Sequence, residues 1–462
     1  MKLARPIALQ TGRPRGGFVL VAVLTIVLLA SMVAVSLLFR LKAENVAEAT
    51  SAGSEQAWAA AMTGLEAAIR RVANVTPGAT DWQDEPRVFR DQLVFEDGVD
   101  RWYFTVCSPA VDDALNELRF GLTDEAAKVN VNAAHTTNLL HLPHLTPALT
   151  SALRDFVDFD TTARKDGAEQ AYADGFGRMR SVRNGPLDTI DELLLVRGFT
   201  PALLYGEDAN MNWHLDPNEQ DGERFPPDNG DSRLDLGLRQ YVTVASYDPN
   251  EDNDGVPRTR LLSRDDPLPG VELPAALTNY IAALRARPPR WTHVAELLEA
   301  KMKVKDSRGR DVELRSGVGK AELPLVLDLF TCSKASRFDG LININTASLR
   351  VLQTVPGIDE PLAEAILSTR HSISPERRAT IAWLYQEGVV DAAHFKRIAP
   401  FLTARSSQYS FHVVGYGLPS GRYRVLDVVI DLAGGKPRIA YLREVTRLGL
   451  PFRLEGKEAP DA

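Results

Sequence analysis

The chain has 462 residues, more than a usual single domain, so two or three domains are expected. Residues 1–40 hold five Lys and Arg and no acid, which leaves 48 basic and 61 acidic residues, a net charge of −13, in the remainder. Such an acidic body argues against binding of nucleic acid, because nonspecific binding depends on Lys and Arg that neutralise phosphates. Cys107 and Cys332 are too few for a disulfide scaffold, which leaves one bridge or two buried thiols open.

The N-terminal region contains an uncharged apolar run from Phe18 to Phe39. As a helix this run is roughly 33 Å long, enough for the hydrocarbon core of a bilayer. A secretory signal has a shorter apolar region that ends in a small-x-small cleavage site. The basic residues before the run predict a cytoplasmic N-terminus and a body outside the membrane.

The stretch after the apolar run predicts a continuing helix, because residues 41–73 contain no Pro. Apolar residues recur there at 4-3-4-3 spacing and form one helix face, which is our candidate partner-helix face and is expected to pack on a sheet. One helix would then run from Phe18 for about 80 Å. The alternative is an anchor, a linker and a separate soluble helix. The face consists of Trp58, Met62, Leu65, Ile69 and Val72.

A segment of the chain occurs twice without gaps at an offset of 213 residues. The copies are VNVNAAHTTNLLHLPHLTPALTSALRDF, from Val129, and ININTASLRVLQTVPGIDEPLAEAILST, from Ile342. A weaker third copy, LLLVRGFTPALL, lies at 193–204. Each copy predicts a helix, a tight turn with Pro or Gly and a second helix, which is a helix-hairpin-helix unit.

Helix-hairpin-helix units often bind DNA, because hairpin amides and a second glycine approach a phosphate. Here Asp359 replaces that second glycine and Glu360 follows it, while His144 occupies the first glycine position of the other copy. Carboxylates repel phosphate, so we favour a structural or protein-binding role for these units over DNA binding.

An acidic tract between the copies, DANMNWHLDPNE at 208–219, has the spacing of a calcium-binding loop. Trp213 stands where the sharp turn normally takes Gly, and no helix is predicted after the tract, so we expect a loop outside a complete EF-hand. Two further oxygen-rich tracts follow at 228–235 and 246–255, and we predict Ca²⁺ as the bound ion; the alternative is a solvated acidic loop. The candidate ligands are Asp208, Asn210, Asn212, Asp216, Glu219, Asp228, Asp231, Asp248, Asn250, Asp252 and Asp254.

The remaining pattern predicts strands at 100–109, 117–131, 407–417, 422–432 and 437–445, where β-branched and aromatic residues are bounded by turn signals. The predicted fold class is therefore α+β. A long N-terminal helix packs on an antiparallel sheet, and a large α-helical insertion with helix-hairpin-helix-like units interrupts that sheet.

No catalytic constellation is evident. SGVGKA at 316–321 lacks the upstream Gly and the Ser or Thr of a phosphate loop. His135, His141 and His144 are close in sequence but have no Cys beside them and no evident further ligand for zinc. We expect the protein not to be an enzyme.

Five segments together resemble one family, the minor pseudopilin K of type II secretion systems (general secretion pathway protein K, GspK). They are the junction of Gly17 and Phe18 after a basic leader, DEAAKVNVNAA, RNGPLDTIDELLLVRGFTPALLYGEDAN, DPNEQDGERFPPDNGD and LININTASLRVLQTVPGIDEPLAEAIL. The resemblance implies cleavage between Gly17 and Phe18 by prepilin peptidase. Most such subunits carry Glu at the fifth position after the cut, where this chain has Ala22, which suits a subunit with no neighbour above it.

The resemblance also implies a pilin-like fold with a large α-domain inserted into it, and calcium sites are known in the family. The expected divisions are a leader at 1–17, the transmembrane segment of the helix at 18–40, the first part of the pilin-like domain at 41–128, an inserted α-domain with the acidic loops at 129–335, a helix-hairpin-helix-like unit with the C-terminal strands at 336–455, and a tail at 456–462.

As a function the resemblance implies a single-pass protein of the bacterial inner membrane with a periplasmic body at the tip of the pseudopilus. The implied partners are minor pseudopilins I and J, the major pseudopilin and prepilin peptidase, with secreted cargo and the outer-membrane secretin as further contacts. The alternative function is a membrane-anchored helix-hairpin-helix DNA receptor for uptake, which would need a basic face.

Overall fold

The computed structural model of the protein describes residues 16–110, 118–134, 136–169, 172–173, 179–219, 222, 230–305 and 309–454. The chain divides into two compact units, one up to Gln56 and the other from Ala57 onward. The predicted leader, apart from its last two residues, and the predicted tail lie outside the described residues.

The described helices, in chain order, are α1 Gly16–Ala73, α2 Pro86–Phe89, α3 Thr136–Leu139, α4 Pro147–Val157, α5 Pro201–Tyr205, α6 Ala275–Ala286, α7 Leu323–Leu329, α8 Leu349–Leu352, α9 Glu360–Arg370, α10 Pro375–Arg378, α11 Trp383–Gln386 and α12 Ala392–Ile398. Five of the described helices, α4, α5, α8, α9 and α12, begin after a Thr, Ser or Asp whose side chain caps the first turn.

The strands are long in one sheet and short elsewhere. In chain order they are β1 Gln92–Glu96, β2 Arg101–Pro109, β3 Leu118–Arg119, β4 Thr123–Asp124, β5 Val129–Asn130, β6 Tyr172–Ala173, β7 Met179–Arg180, β8 Val242–Thr243, β9 Tyr247–Pro249, β10 Thr259–Arg260, β11 Lys301–Lys305, β12 Asp311–Arg315, β13 Phe330–Thr331, β14 Arg337–Asp339, β15 Ile342–Asn343, β16 Leu402–Thr403, β17 Gln408–Leu418, β18 Arg422–Asp431 and β19 Arg438–Glu444.

The first unit consists of the N-terminal part of α1. Its large apolar side chains from Phe18 to Leu41 are exposed, and this helix is long and apolar enough to cross a membrane. The hydroxyls of Thr25 and Ser31 donate to backbone carbonyls four residues earlier, which satisfies these polar groups within the apolar stretch. The helix is continuous as predicted, without the linker of the alternative interpretation.

The second unit contains an antiparallel sheet in the order β1-β2-β17-β18-β19, with β3 paired to β2 and β4 paired to β17. The predicted strand at 100–109 and the three C-terminal strands are confirmed. The strand predicted at 117–131 is wrong as one element, because the Asp124 carboxylate accepts a hydrogen bond from the backbone N–H of Ala126 and caps a short 3-10 helix there.

The part of α1 after Gln56 packs on this sheet at very short range. A Cβ added to Gly64 would lie 2.8 Å from side-chain atoms of Phe104 and Val413, and one added to Gly415 would lie 2.0 Å from the backbone oxygen of Ala57. Glycine at both places therefore lets helix and strand backbones approach closely. The shared core is formed by Ala61, Leu65, Ala68, Val72, Trp82, Phe89, Phe104, Val106, Leu122, Tyr409, Phe411, Val413, Leu426, Val428 and Ile430.

The candidate partner-helix face packs on the sheet, as expected from its spacing. Leu65 and Val72 are buried on the sheet, and Trp58, Met62 and Ile69 pack at the margin of the same core. The most buried stripe of the helix also includes Ala and Gly residues, which permit the closest approach to a sheet. The spacing of large hydrophobic residues does not reveal them. The face is thus used within the chain, and its contact with a partner helix stays a prediction.

The chain leaves the sheet after β4 and returns at β17, and the intervening residues form the predicted insertion. One hydrophobic core runs through it from Val129 to Ala404. The second repeat packs in this core with the first, so the core extends past residue 336, and the division expected there stays a prediction. A Cβ on Gly340 would lie 2.8 Å from the Cβ of Ala133.

The repeats have matching local structures. β5 pairs in parallel with β8, and β15 pairs in parallel with β16. The turn residues His144, Gly198 and Gly357 all have positive φ and each lies two residues before the N-cap of the following helix. Each copy thus has the predicted tight turn, while its assignment as a helix-hairpin-helix unit stays a prediction.

The two cysteines are free thiols in different environments. Cys107 is buried in the sheet on β2, and Cys332 is partly buried beside the core of the insertion. The open choice between a bridge and two thiols is therefore decided in favour of thiols.

Candidate functional site

The acidic loop at 208–219 begins three residues after α5 and folds around two buried carboxylates, Asp208 and Glu219. Asp208 Oδ1 accepts a hydrogen bond from the backbone N–H of Asn212 at 3.0 Å, and its Oδ2 accepts one from that of Trp213 at 3.2 Å. Glu219 accepts from the N–H groups of Ala209 and Asp216, both at 3.0 Å. The first and last predicted ligands are therefore brought together by the loop.

The remaining predicted ligands of this loop lie between Asp208 and Glu219 in the sequence. Asn210 Oδ1 accepts from the N–H of Asn212 at 2.9 Å, and Asn212 Oδ1 accepts from that of His214 at 2.8 Å. The side-chain amides of Asn210 and Asn212 both donate to Asp216 Oδ2, at 2.7 and 2.8 Å. The side-chain carbonyl oxygens of Asn210 and Asn212 and both carboxylate oxygens of Asp208 each keep a second lone pair, which is the donor chemistry that Ca²⁺ prefers.

The electrostatics of the loop favour a bound cation. Burial raises the pKa of Asp208 to about 7, and the neighbouring Glu219 carboxylate adds to the rise. Burial also raises the pKa of Glu219. Two buried carboxylates that disfavour each other's charge are stabilised by a cation, so this donor set fits Ca²⁺.

Trp213, which replaces the expected glycine of the turn, has a φ of +63°. Its side chain is buried and its ring lies flat on the imidazole of His412 in β17, with ring centroids 3.6 Å apart. Cys107, Val414 and Tyr416 complete the apolar surroundings. The loop is thereby held against the sheet, and the packing offsets the strain of a bulky residue in the left-handed region.

The second predicted tract does not converge in the same way. Asp228 lies outside the described residues. Asp231 accepts a hydrogen bond from the N–H of Arg233 at 2.8 Å and is part of a local turn. Asp235 instead joins the first loop, because its N–H donates to Glu207 at 3.0 Å.

The third predicted tract is organised around a side-chain cation. Asp248 Oδ1 lies 2.6 Å from Nη2 of Arg405, and its Oδ2 accepts from Thr403 at 2.8 Å. Asn250 donates its side-chain amide to a backbone oxygen, and Asp252 accepts from the N–H groups of Asp254 and Val256. Arg405 thus neutralises Asp248 in this tract, and whether Asp248, Asn250, Asp252 or Asp254 binds Ca²⁺ stays a prediction.

One acidic cluster was missed by the sequence interpretation. Single carboxylate oxygens of Asp155, Asp158 and Glu169 lie within 4.8 Å of one another. Arg164 pairs with Asp155 at 2.8 Å and also with Asp158, so the cluster already contains a cation. The three residues have no periodic spacing in the sequence that would mark them as a cluster. The loop after α4 brings them together.

A second missed group joins the insertion to the sheet. Asp124 Oδ2 accepts hydrogen bonds from Asn343, Thr346 and Ser406 at 2.8, 2.6 and 2.7 Å. Burial raises its pKa to about 6. The neighbouring Glu125 forms an ion pair with Lys128 at 2.8 Å. The segment DEAAK at 124–128 was noted in the sequence only because of the family resemblance. In the structure this segment holds the insertion in place.

The predicted processing site lies at the start of α1. The helix begins at Gly16, so its backbone includes Gly17, and Phe18 is exposed. Ala22 lies one turn further along the helix. The basic residues of the leader lie outside the described part of the chain.

Residues 115–205 match the family model of type II secretion system (T2SS) protein K. A chain in the crystal structure of the GspK–GspI–GspJ complex from the type 2 secretion system of enterotoxigenic Escherichia coli aligns with a TM-score of 0.40 and 13% identity, over 88% of this chain and 99% of that chain. No curated protein matches the chain. The family match confirms, over these residues, the resemblance to type II secretion protein K.

Proposed function

Because residues 115–205 carry the type II secretion protein K match, we propose that this chain is a minor pseudopilin of a type II protein secretion system. It would be cleaved between Gly17 and Phe18 by prepilin peptidase and would then cap the tip of a periplasmic pseudopilus. The family match is the observation that carries this proposal.

The architecture supports a role in a helix-bundled filament. The N-terminal part of α1 has an apolar, exposed surface, whereas the part after Gln56 is used by its own sheet. Contacts with partner helices would therefore involve residues before Ala57. We propose minor pseudopilins I and J as neighbours and the major pseudopilin as the subunit below.

The insertion supports a place at the tip. It occupies the chain between Asp124 and Gln408, so it adds a domain larger than the sheet that carries it. A subunit of the same filament stacked above would have to share that space. Ala22 also lacks the carboxylate that most pseudopilins offer to the N-terminal amine of a neighbour.

We also propose that the loop from Asp208 to Glu219 binds Ca²⁺. The two buried carboxylates and the carbonyl oxygens of Asn210 and Asn212 would hold the ion, whose positive charge would offset the mutual repulsion of the carboxylates. The ion would stabilise the loop on which Trp213 packs against the sheet.

The first experiment is mass spectrometry of the N-terminus of the protein extracted from membranes of its native host. A mature chain beginning at Phe18 is expected, and a Gly17→Ala variant should retain its leader. An intact N-terminus in the wild-type protein, or cleavage after residue 30, would contradict the pseudopilin proposal.

The tip position is tested by crosslinking in the assembled system. Cysteine pairs between α1 and minor pseudopilins I and J should crosslink, whereas pairs between two copies of this chain should not. An Ala22→Glu variant that assembled normally along the filament body would contradict the proposed tip position.

A further inference from the structure

A cavity of about 270 Å³ lies inside the insertion, between the segment at 292–294, β13 and the segments at 379–381 and 400–405. Its wall is about as polar as it is apolar, and its apolar part includes Phe330, Phe338, Ile381 and Leu402. Small-molecule sites combine apolar surface with a few placed polar groups. Two polar groups of this cavity, Arg258 and His293, offer donors that no residue in the described part of the chain accepts.

Arg258 is held by one hydrogen bond, from its Nε to the backbone oxygen of Asp328 at 3.0 Å. No residue in the described ranges accepts a hydrogen bond from its Nη1 or Nη2. Burial lowers its pKa to about 10, and the positive charge of Arg405 contributes, so the guanidinium is charged at neutral pH. Its outer edge can therefore bind an anion in a bidentate manner.

His293 supplies a second donor. Its Nδ1 accepts a hydrogen bond from the backbone N–H of Ala295 at 3.2 Å, which places the proton of the neutral ring on Nε2. Burial lowers the pKa of His293 to about 4, so the ring is neutral at pH 7. The ring lines the same cavity as Arg258 and contributes an N–H without a second positive charge.

The carboxylates that line the cavity favour a ligand with a single negative charge over a dianion. Asp248 is neutralised by Arg405 at 2.6 Å. Asp328 accepts from the N–H of Asn253 at 2.9 Å, and within the described residues no carboxylate lies within ion-pair distance of Arg258. A dianion such as phosphate would meet repulsion from Asp248 and Asp328, which both line the cavity.

We propose that this cavity binds a small organic carboxylate through Arg258 and His293. The carboxylate would accept hydrogen bonds from the Arg258 guanidinium and from His293 Nε2, and an apolar body would lie against Phe338 and Leu402. The proposal is independent of the pseudopilin assignment, because it rests on the cavity alone.

The test compares benzoate with its uncharged isostere benzamide on the full chain in detergent, by calorimetry and by the shift in Tm. Benzoate should bind and raise Tm, and benzamide should not. Arg258→Met should weaken benzoate binding by roughly ten- to a hundredfold, as expected for hydrogen bonds to a charged group. Arg287→Met, which removes an exposed guanidinium elsewhere, is the matched control and should bind as the wild type.

Equal binding of benzoate and benzamide to the wild-type protein would overturn the proposal, and so would unchanged benzoate binding by Arg258→Met. The first comparison needs no variant, so it stands even if Arg258→Met fails to fold. The bound carboxylate could belong to a free small molecule or to the C-terminus of a polypeptide. A tripeptide ending in Phe, tested with a free and an amidated C-terminus, separates these two sources. Binding of the free peptide identifies a chain terminus and binding of benzoate alone a free molecule; both support a carboxylate site.

Discussion

The indole of Trp213 and the imidazole of His412 stack at a centroid distance of 3.6 Å with an angle of 13° between their planes. This contact joins the acidic loop of the insertion to the central strand of the sheet. His412 is buried and its Nδ1 has no hydrogen-bond partner among the described residues, so the stack, rather than hydrogen bonding at Nδ1, holds the ring.

Truncation of Trp213 should therefore loosen the loop. For Trp213→Ala we expect a loss of about 3 kcal/mol in the free energy of unfolding, since large aromatic truncations in cores cost about 3–5 kcal/mol and relief of the positive φ returns little. His412→Phe keeps the stack and removes an unpaired polar atom, so it should be near neutral. Denaturation of the full chain in detergent measures both; equal losses would show that the stack is not the stabilising element.

Calcium should stabilise the protein through Asp208 and Glu219. For a Kd of about 10⁻⁴–10⁻³ M, 10 mM Ca²⁺ should add about 1.4–2.7 kcal/mol, measured as a rise in Tm over a chelator control. Asp208→Asn together with Glu219→Gln should abolish the rise. Asp311→Asn, on an exposed hairpin, is the control and should retain it. A rise that survived in the double variant would place the ion elsewhere.

Asp208 should also make stability depend on pH in the absence of calcium. Its pKa is raised to about 7 from an ordinary 3.8, so its stabilising contribution is complete below about pH 4 and is lost as the pH rises to about 7. Tm measured with a chelator should therefore fall over this range more steeply for the wild type than for Asp208→Asn. Addition of Ca²⁺ should reduce this difference in the slope of Tm against pH, because Ca²⁺ binds the deprotonated carboxylate. Identical slopes in both proteins would contradict the raised pKa.

Asp124 should control how firmly the insertion is held. Asp124→Ala leaves the donors of Asn343, Thr346 and Ser406 without their acceptor, so we expect a loss of roughly 3–5 kcal/mol. Limited proteolysis should then cut the segments around residues 125 and 407 faster than in the wild type. Asp311→Asn again serves as the control, and unchanged cleavage in Asp124→Ala would show that other contacts suffice.

Gly415 should not tolerate a methyl group. Gly415→Ala places a Cβ 2.0 Å from the Ala57 oxygen, so the helix must move, and we expect a loss of about 3 kcal/mol or more. Gly270→Ala is the control, since nothing lies within 4 Å of its Cβ and its φ is not positive. Tm of the two variants measures the difference. A Gly415→Ala protein as stable as the control would mean that helix and sheet are less tightly packed than described.

Several elements were predictable because their signals are local. The apolar run from Phe18, the C-terminal strands and the repeat with His144 and Gly357 at its turns all follow from periodicity or from turn chemistry. The turn from Asp208 to Glu219 was predictable for the same reason, since its oxygen-bearing side chains lie within twelve residues of sequence, while their binding of Ca²⁺ stays a prediction.

The other features depend on residues that are distant in sequence. Arg405 neutralises Asp248 across 157 residues, and the cavity of Arg258 and His293 is closed by segments near residues 380 and 402. The hydrophobic spacing identified the helix face that packs on the sheet but passed over Gly64 and its alanine neighbours, because the spacing marks large residues whereas close packing selects small ones.

By itself the sequence determined the long helix, the long strands before and after the insertion, the repeats and the turn of the first acidic loop, because each is encoded by neighbouring residues whose spacing matches a secondary-structure period or a turn. Only the tertiary structure decided which carboxylates pair with arginines and that both thiols are free. It also decided that Trp213 stacks on His412. Those outcomes depend on burial and on distances between segments, and burial is what changes the energy of a charge or an aromatic ring.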